Sequence, residues 1–258
     1  MVDTLLAILV PPELAPWSAA LLVALSFFTS ALTGALGLGG GLLMLAVMAQ
    51  LLAPAVLIPV HAVVQVGSNA GRATLMRKDV ARHLLWPFIV GSAVGVALGA
   101  QVVVALPKPL LELVLGLFVL WSAWTPKLRP ARLPPRWFAA VGAVSSFCTM
   151  FVGATGPLVA AFLVPDPLTR HQVVATHAAF MMAQHALKIG AFTALGFGFL
   201  PWLPLLLLMI ALGFLGTMVG KRFLDRLPER SFAIAFKFTL SVLAIKLAAD
   251  GAWAIAAG

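Results

Sequence analysis

The chain has 258 residues, 62% of them hydrophobic and 10% charged, with a formal net charge of +9 and a mean hydropathy of +1.07. These values exclude an ordinary soluble domain, because the apolar runs are long enough to cross a bilayer. The basic excess does not point to nucleic acid: most of its residues sit in short loops between apolar runs, which is the pattern of membrane topology.

In chain order, apolar segments run over 17–36, 42–53, 57–76, 84–105 and 109–125, and then over 137–152, 157–165, 172–195, 200–220 and 231–256. The seven tryptophans, Trp17, Trp86, Trp121, Trp124, Trp137, Trp202 and Trp253, fall near segment ends, as expected of rings anchored at the two interfaces. The N-terminus carries Asp3, lacks a basic stretch and breaks at Pro11-Pro12, so no cleaved signal peptide is expected. The lone Cys148 cannot form an internal disulfide and is expected to be a small packing residue.

Segments 42–53 and 157–165 are too short to cross. At 1.5 Å per residue they reach about 18 and 14 Å, against a hydrocarbon core of roughly 30 Å. Each is expected to be half of a re-entrant or broken hairpin that turns at glycine, followed by three full spans. The fold class expected is an all-α membrane protein of two repeats: residues 1–126 with hairpin 17–53, and residues 137–258 with hairpin 137–165. The basic, proline-rich stretch 127–136 joins them, and its prolines cannot continue a helix.

Loop charges decide between inverted and parallel repeats. Under inversion Arg77, Lys78, Arg82, Lys127, Arg129, Arg132, Arg136, Arg170, Lys221, Arg222, Arg226 and Arg230 lie on the cytoplasmic side and only Lys108 lies outside. Parallel repeats divide them seven against six, contrary to the positive-inside bias. Inverted topology with both termini outside is therefore expected, in a bacterial-type inner membrane.

The two halves carry one ladder of polar groups, offset by 116 residues. Gly37, Gly39, Gly40 and Gly41 precede His61, Gln65, Ser68, Asn69 and Arg72; Gly153, Thr155 and Gly156 precede His177, Gln184, His185 and Lys188. Trp86 and Trp202 keep the same offset. Residues 61, 65, 68, 69 and 72 share one helical face. Such a stripe is costly against lipid, so it is expected to line an interior site. Helices that open at glycine turns leave N–H donors unpaired and carry partial positive charge, which suits an anion. Arg72 and Lys188 would supply the full charges. His61, His177 and His185 are the groups available for a coupling proton. Lys237 is expected to reach the cytoplasmic surface, whereas Lys246 has no assigned role. Only Glu112 and Asp250 bring carboxylates near membrane depth, so neither a sodium site nor a metal site is expected, and no cofactor. Without a Gly-x-Ser-x-Gly stretch or a paired acid, enzyme activity is not expected.

At the Gly37–Gly41 run, the Gly153-Ala154-Thr155-Gly156-Pro157 turn, the half-length helices and the Leu106-Pro107 and Leu227-Pro228 turns, the sequence resembles the TauE/SafE sulfite exporter family, also called the TSUP transporters. The resemblance covers roughly residues 17–256. It implies a secondary transporter of a small sulfur-containing anion, such as sulfite, thiosulfate or a sulfonate, held near the midplane in alternating access. An anion channel of similar selectivity and a carrier of non-sulfur carboxylates remain the alternatives, and a homodimer is open. The second turn departs from the family's further glycine run, and the first lacks a proline a few residues later, so the particular substrate is not fixed by the resemblance.

Overall fold

A computed structural model describes residues 10–11, 13–36, 39–103, 106–124, 131–163, 167–222 and 229–257, without the side chains of 229–236. Among the described residues there are ten α-helices and no strand. They are α1 (Pro16–Leu36), α2 (Gly40–Met48), α3 (Pro54–Leu75), α4 (Arg82–Val103), α5 (Lys108–Trp124), α6 (Phe138–Val152), α7 (Gly156–Leu163), α8 (Arg170–Ala194), α9 (Leu203–Lys221) and α10 (Glu229–Ala257). Gly37, Lys127, Arg129, Arg226 and the Leu227-Pro228 turn lie outside the described residues.

Local chemistry sets the boundaries. Pro54 opens α3, where a missing N–H costs nothing. Thr169 caps α8 through a reciprocal pair with Gln172. At the two hairpin turns Gly39 and Gly153 have φ of 103° and 74°, a region that side chains disfavour. Beyond those turns α2 and α7 have nine and eight residues, so neither can cross a bilayer.

Among the described residues, four helical stretches are long and apolar enough to cross a membrane: Pro16–Leu36, Arg82–Val103, Leu200–Lys221 and Lys237–Ala257. This set differs from the three spans expected in each half. α3 and α8 are long but carry the polar stripe, and α5 has only 17 residues. A helix enclosed by other helices need not be apolar all round. α1, expected as a hairpin arm, has the length of a full span.

The halves interleave. α1 packs along α9, and α4 along α6. These contacts are close: a Cβ on Gly95 would lie 2.0 Å from the Ala143 carbonyl oxygen, and one on Gly216 would lie 2.1 Å from that of Phe27. Glycine is required at both crossings, as is common where membrane helices touch backbone to backbone. One apolar core gathers Leu22, Leu45, Leu57, Leu115, Met209 and Leu240; another gathers Phe88, Phe138, Val159 and Phe180, with Phe88 and Phe180 stacked at 4.0 Å.

α2 and α7, like α3 and α8, begin 116 residues apart, but α4 and α9, like α5 and α10, begin 121 apart. The step comes after α8, which has 25 residues against 22 in α3. Trp86 and Trp202 are therefore not structural equivalents. Trp86 is 71% exposed on α4, whereas Trp202 is buried in the short 3₁₀ turn before α9.

α3 and α8 run in opposite directions, and so do α5 and α10. His61 of α3 meets His185 of α8, while Arg72 and His177 line one cavity. On α5 and α10, Gly116 approaches Ala244 and Ala248, whereas Gly251 approaches Pro109 and Leu113. The Lys221 ammonium donates to the Leu75 carbonyl at 2.9 Å, and the Ala81 amide donates to Thr176 Oγ1 at 2.9 Å. The ends of α3 and α9 and the start of α8 thus share one end of the bundle, with Arg77, Lys78, Arg82, Arg170, Lys221 and Arg222.

Candidate anion site

The polar stripes of α3 and α8 face inward. His61, Gln65, Ser68, Asn69, Arg72, His177, Gln184, His185 and Lys188 are all buried. Between them and the two hairpin turns lies a cavity of about 40 Å³, lined by Thr33, Gly39, Gly41, Leu42, Gln65, Asn69, Arg72, Ala154, Gly156, Pro157, His177, Met181 and His185. That is room for roughly three waters, or for a small oxyanion. Asn69 and His185, equivalent in the repeat, line the same space, and among the described residues no carboxylate lines it.

Two histidines hold the turns. His61 donates through Nε2 to the Gly41 carbonyl, and His177 likewise to the Gly156 carbonyl, both at 3.0 Å. A carbonyl can only accept, so the proton sits on Nε2 in each ring. The Nδ1 atoms of His61, His177 and His185 have no partner.

Arg72 is the charge at the cavity. Its Nη2 donates to Asn69 Oδ1, while Asn69 Nδ2 donates to the Gln65 carbonyl at 2.7 Å and to Gln65 Oε1 at 3.3 Å. Arg72 Nε and Nη1 are buried without a partner. A guanidinium held at one corner with two donors unfilled is costly to keep empty and suited to a bidentate oxyanion.

Lys188 stands elsewhere. Its ammonium donates to the Gly153 carbonyl at 2.7 Å, with the Thr149 carbonyl and hydroxyl each at 3.4 Å. It therefore neutralises the carbonyl end of α6 and pins the positive-φ turn, and it does not line the cavity. Gln184 is similarly occupied: its Nε2 donates to Ser145 and Ser146 at 3.1 and 2.9 Å, and its Oε1 accepts from Thr155 at 3.1 Å. Ser68 bonds Ser30 at 3.0 Å. Gly40 is packed against the Thr29 carbonyl, where a Cβ would come within 1.9 Å.

The structure thus brings Gly39, Gly41, Gln65, Asn69, Arg72, Gly156, His177 and His185 to one space. Gly40, His61, Ser68, Gly153, Thr155, Gln184 and Lys188 stand behind it. Thr33 and Leu42 on the wall, and Ser30, Ser145, Ser146 and Thr149 as anchors, are absent from the sequence-based expectation, whereas Pro157 enters it as part of the second turn and Met181 as the residue that repeats Gln65. The repeat held part of the signal, because Ser30 and Ser146, and Thr33 and Thr149, are each 116 residues apart.

The description sulfite exporter TauE/SafE fits a family model that matches residues 22–247. The chain belongs to the TauE/SafE family. No curated protein and no solved structure matches it. As a TauE/SafE member it is a membrane transporter, and its family points to sulfur-containing anions and away from catalysis. Among the described residues no group of three His, Cys, Asp or Glu side chains could hold a metal ion.

Proposed function

We propose that this TauE/SafE protein is a secondary transporter that carries a small sulfur-containing anion by alternating access, with the anion bound to Arg72 between the two hairpin turns. The observation that carries this reading is Arg72, which lines the cavity and whose buried Nε and Nη1 have no hydrogen-bond partner. Asn69 and Gln65 align it, and the Gly41 amide at the start of α2 adds a donor, since no side chain caps that helix.

The walls differ in character. Thr33, Gly39, Gly41, Leu42, Gln65, Asn69 and the one full charge, Arg72, come from the first half; Ala154, Gly156, Pro157, His177, Met181 and His185 come from the second. Pro157 has no N–H to offer where Gly41 has one. This suits an anion with a charged head and a small apolar body, a short sulfonate, better than a bare dianion. Lys188 acts through the second hairpin, as a positioning residue.

The repeats are inverted across the bilayer, with both termini outside and the inner membrane as the site of action. Antiparallel α3 and α8, and antiparallel α5 and α10, support this, since an axis along the membrane normal would leave equivalent helices parallel. The gathering of Arg77, Lys78, Arg82, Arg170, Lys221 and Arg222 at one end supports a cytoplasmic face there. In domain terms each half is one repeat, joined by the basic linker, but neither buries its own core. Buried histidines beside the cavity, His185 first, are the candidates for a coupled proton.

The test is a thermal-shift screen of the purified protein against sulfite, sulfate, thiosulfate, sulfoacetate, taurine, acetate and phosphate, since a ligand of the folded state stabilises it by mass action. Stabilisation by a sulfur-containing anion that vanishes in Arg72→Ala is expected. An undiminished shift in that variant overturns the site. Saturable counterflow in proteoliposomes separates a carrier from a channel.

A further inference from the structure

Helix α10 presents an ion pair where a hydrocarbon surface is expected. Lys246 Nζ lies 2.8 Å from Asp250 Oδ2, and the two side chains are 62% and 55% exposed. The antiparallel neighbour α5 fixes their height. A Cβ on Gly116 would meet Ala244 and Ala248, which flank Lys246, and one on Gly251 would meet Pro109, Leu113 and Glu112. Gly116 stands midway along Lys108–Trp124. Lys246 is therefore at mid-height, with Asp250 one turn toward the Lys108 end. The opposite end is marked by Trp124, whose indole lies 5.3 Å beneath Lys237 Nζ.

The surface around the pair is apolar: Phe238, Val242, Ile245 and Trp253 on α10 and Leu117 on α5 are all exposed. Ionisable groups at such depth face protein or a water-filled space and pair with one another, because hydrocarbon solvates them poorly.

We propose that the α5–α10 edge is the contact face of a homodimer, with a second copy of this chain as its occupant and the Lys246–Asp250 pair at its centre. Charge complementarity selects that occupant. About a two-fold axis along the membrane normal the two α10 helices run parallel, so Lys246 can reach Asp250 of the partner subunit while Asp250 reaches the partner's Lys246. The pair is self-complementary, and four charges then close a ring shielded by the apolar side chains above and below. No described side chain of α10 lines the anion cavity, so the inference stands apart from the reading of the site.

The test uses the full chain with Cys148→Ser and Ala249→Cys, reconstituted at low protein-to-lipid ratio. Oxidative cross-linking to a dimer is expected, together with a dimer mass in lipid nanodiscs. Lys246→Asp and Asp250→Lys should each weaken dimerisation at least about tenfold, and the exchange Lys246→Asp/Asp250→Lys should restore it. Where a single reversal fails to fold, Lys246→Leu/Asp250→Leu removes both charges together and should also lower the dimer fraction. A wild-type protein monomeric in nanodiscs, charge variants that dimerise as well as wild type, an exchange that fails to rescue, or cross-linking in native membranes only to a different protein would overturn the proposal.

Discussion

The His61 and His185 rings meet edge to face at 5.8 Å, although the residue that repeats His61 in sequence is His177. The pairing follows from α3 and α8 running in opposite directions side by side. It puts the hairpin pin of one half against the cavity residue of the other, and it leaves Arg72 facing His177 across the same space.

Arg72→Met should separate binding from stability. The guanidinium has two unfilled donors, and a buried charge without full partners is a weak contributor to stability. The variant is expected to melt within a few degrees of wild type in the absence of anion, while anion-induced stabilisation is lost. A thermal-shift titration measures both.

Lys188→Met should do the reverse in part. It strands the Gly153 carbonyl and loosens the end of α6, at a cost of about 1–3 kcal/mol for an acceptor left without its partner. A lower melting temperature is expected, with anion binding weakened but present. Complete loss of binding at unchanged stability would instead make Lys188 a direct ligand.

Two adjacent glycines should respond differently to alanine. At Gly40 the new Cβ meets the Thr29 carbonyl at 1.9 Å, backbone that cannot yield, so Gly40→Ala is expected to accumulate poorly in membranes. At Gly41 it meets the Gln65 amide at 2.8 Å, the far end of a flexible side chain. Gly41→Ala should fold and bind anion more weakly, as read by expression level and titration.

Met181 occupies the position that repeats Gln65 and faces the cavity. Met181→Gln supplies a donor where the wall now has a thioether. The ratio of sulfonate to inorganic sulfite affinity is expected to fall, by roughly tenfold for a contact worth about 1.4 kcal/mol. An unchanged ratio would show that the ligand does not reach this wall.

Much of the architecture was legible in the chain. Segment limits read from apolar runs agree with the helices to within a few residues for most elements, because glycine and proline break helices wherever they are packed. Burial of the stripe on α3 followed from helical periodicity alone, since residues 61, 65, 68, 69 and 72 share a face in any environment. The equal sequence offset of Trp86 and Trp202 is not structural equivalence, because α8 and the connection after it together are five residues longer than α3 and its connection. Lys188 repeats Arg72 in sequence, yet its ammonium is bonded to the Gly153 carbonyl while Arg72 keeps Nε and Nη1 without partners. The α6 carbonyl end that Lys188 reaches is defined only once the second hairpin has folded onto α8.

A membrane chain of two related halves, with half-length helices opening at glycine turns and basic residues apart from apolar runs, is legible without coordinates. Those features are local, set by backbone conformation and by the cost of polar groups in hydrocarbon. Tertiary structure decided which polar groups remain free. Whether a buried donor is satisfied depends on carbonyls brought from distant segments: Gly153 fills Lys188, Ser145 and Ser146 fill Gln184, and nothing fills the two open donors of Arg72.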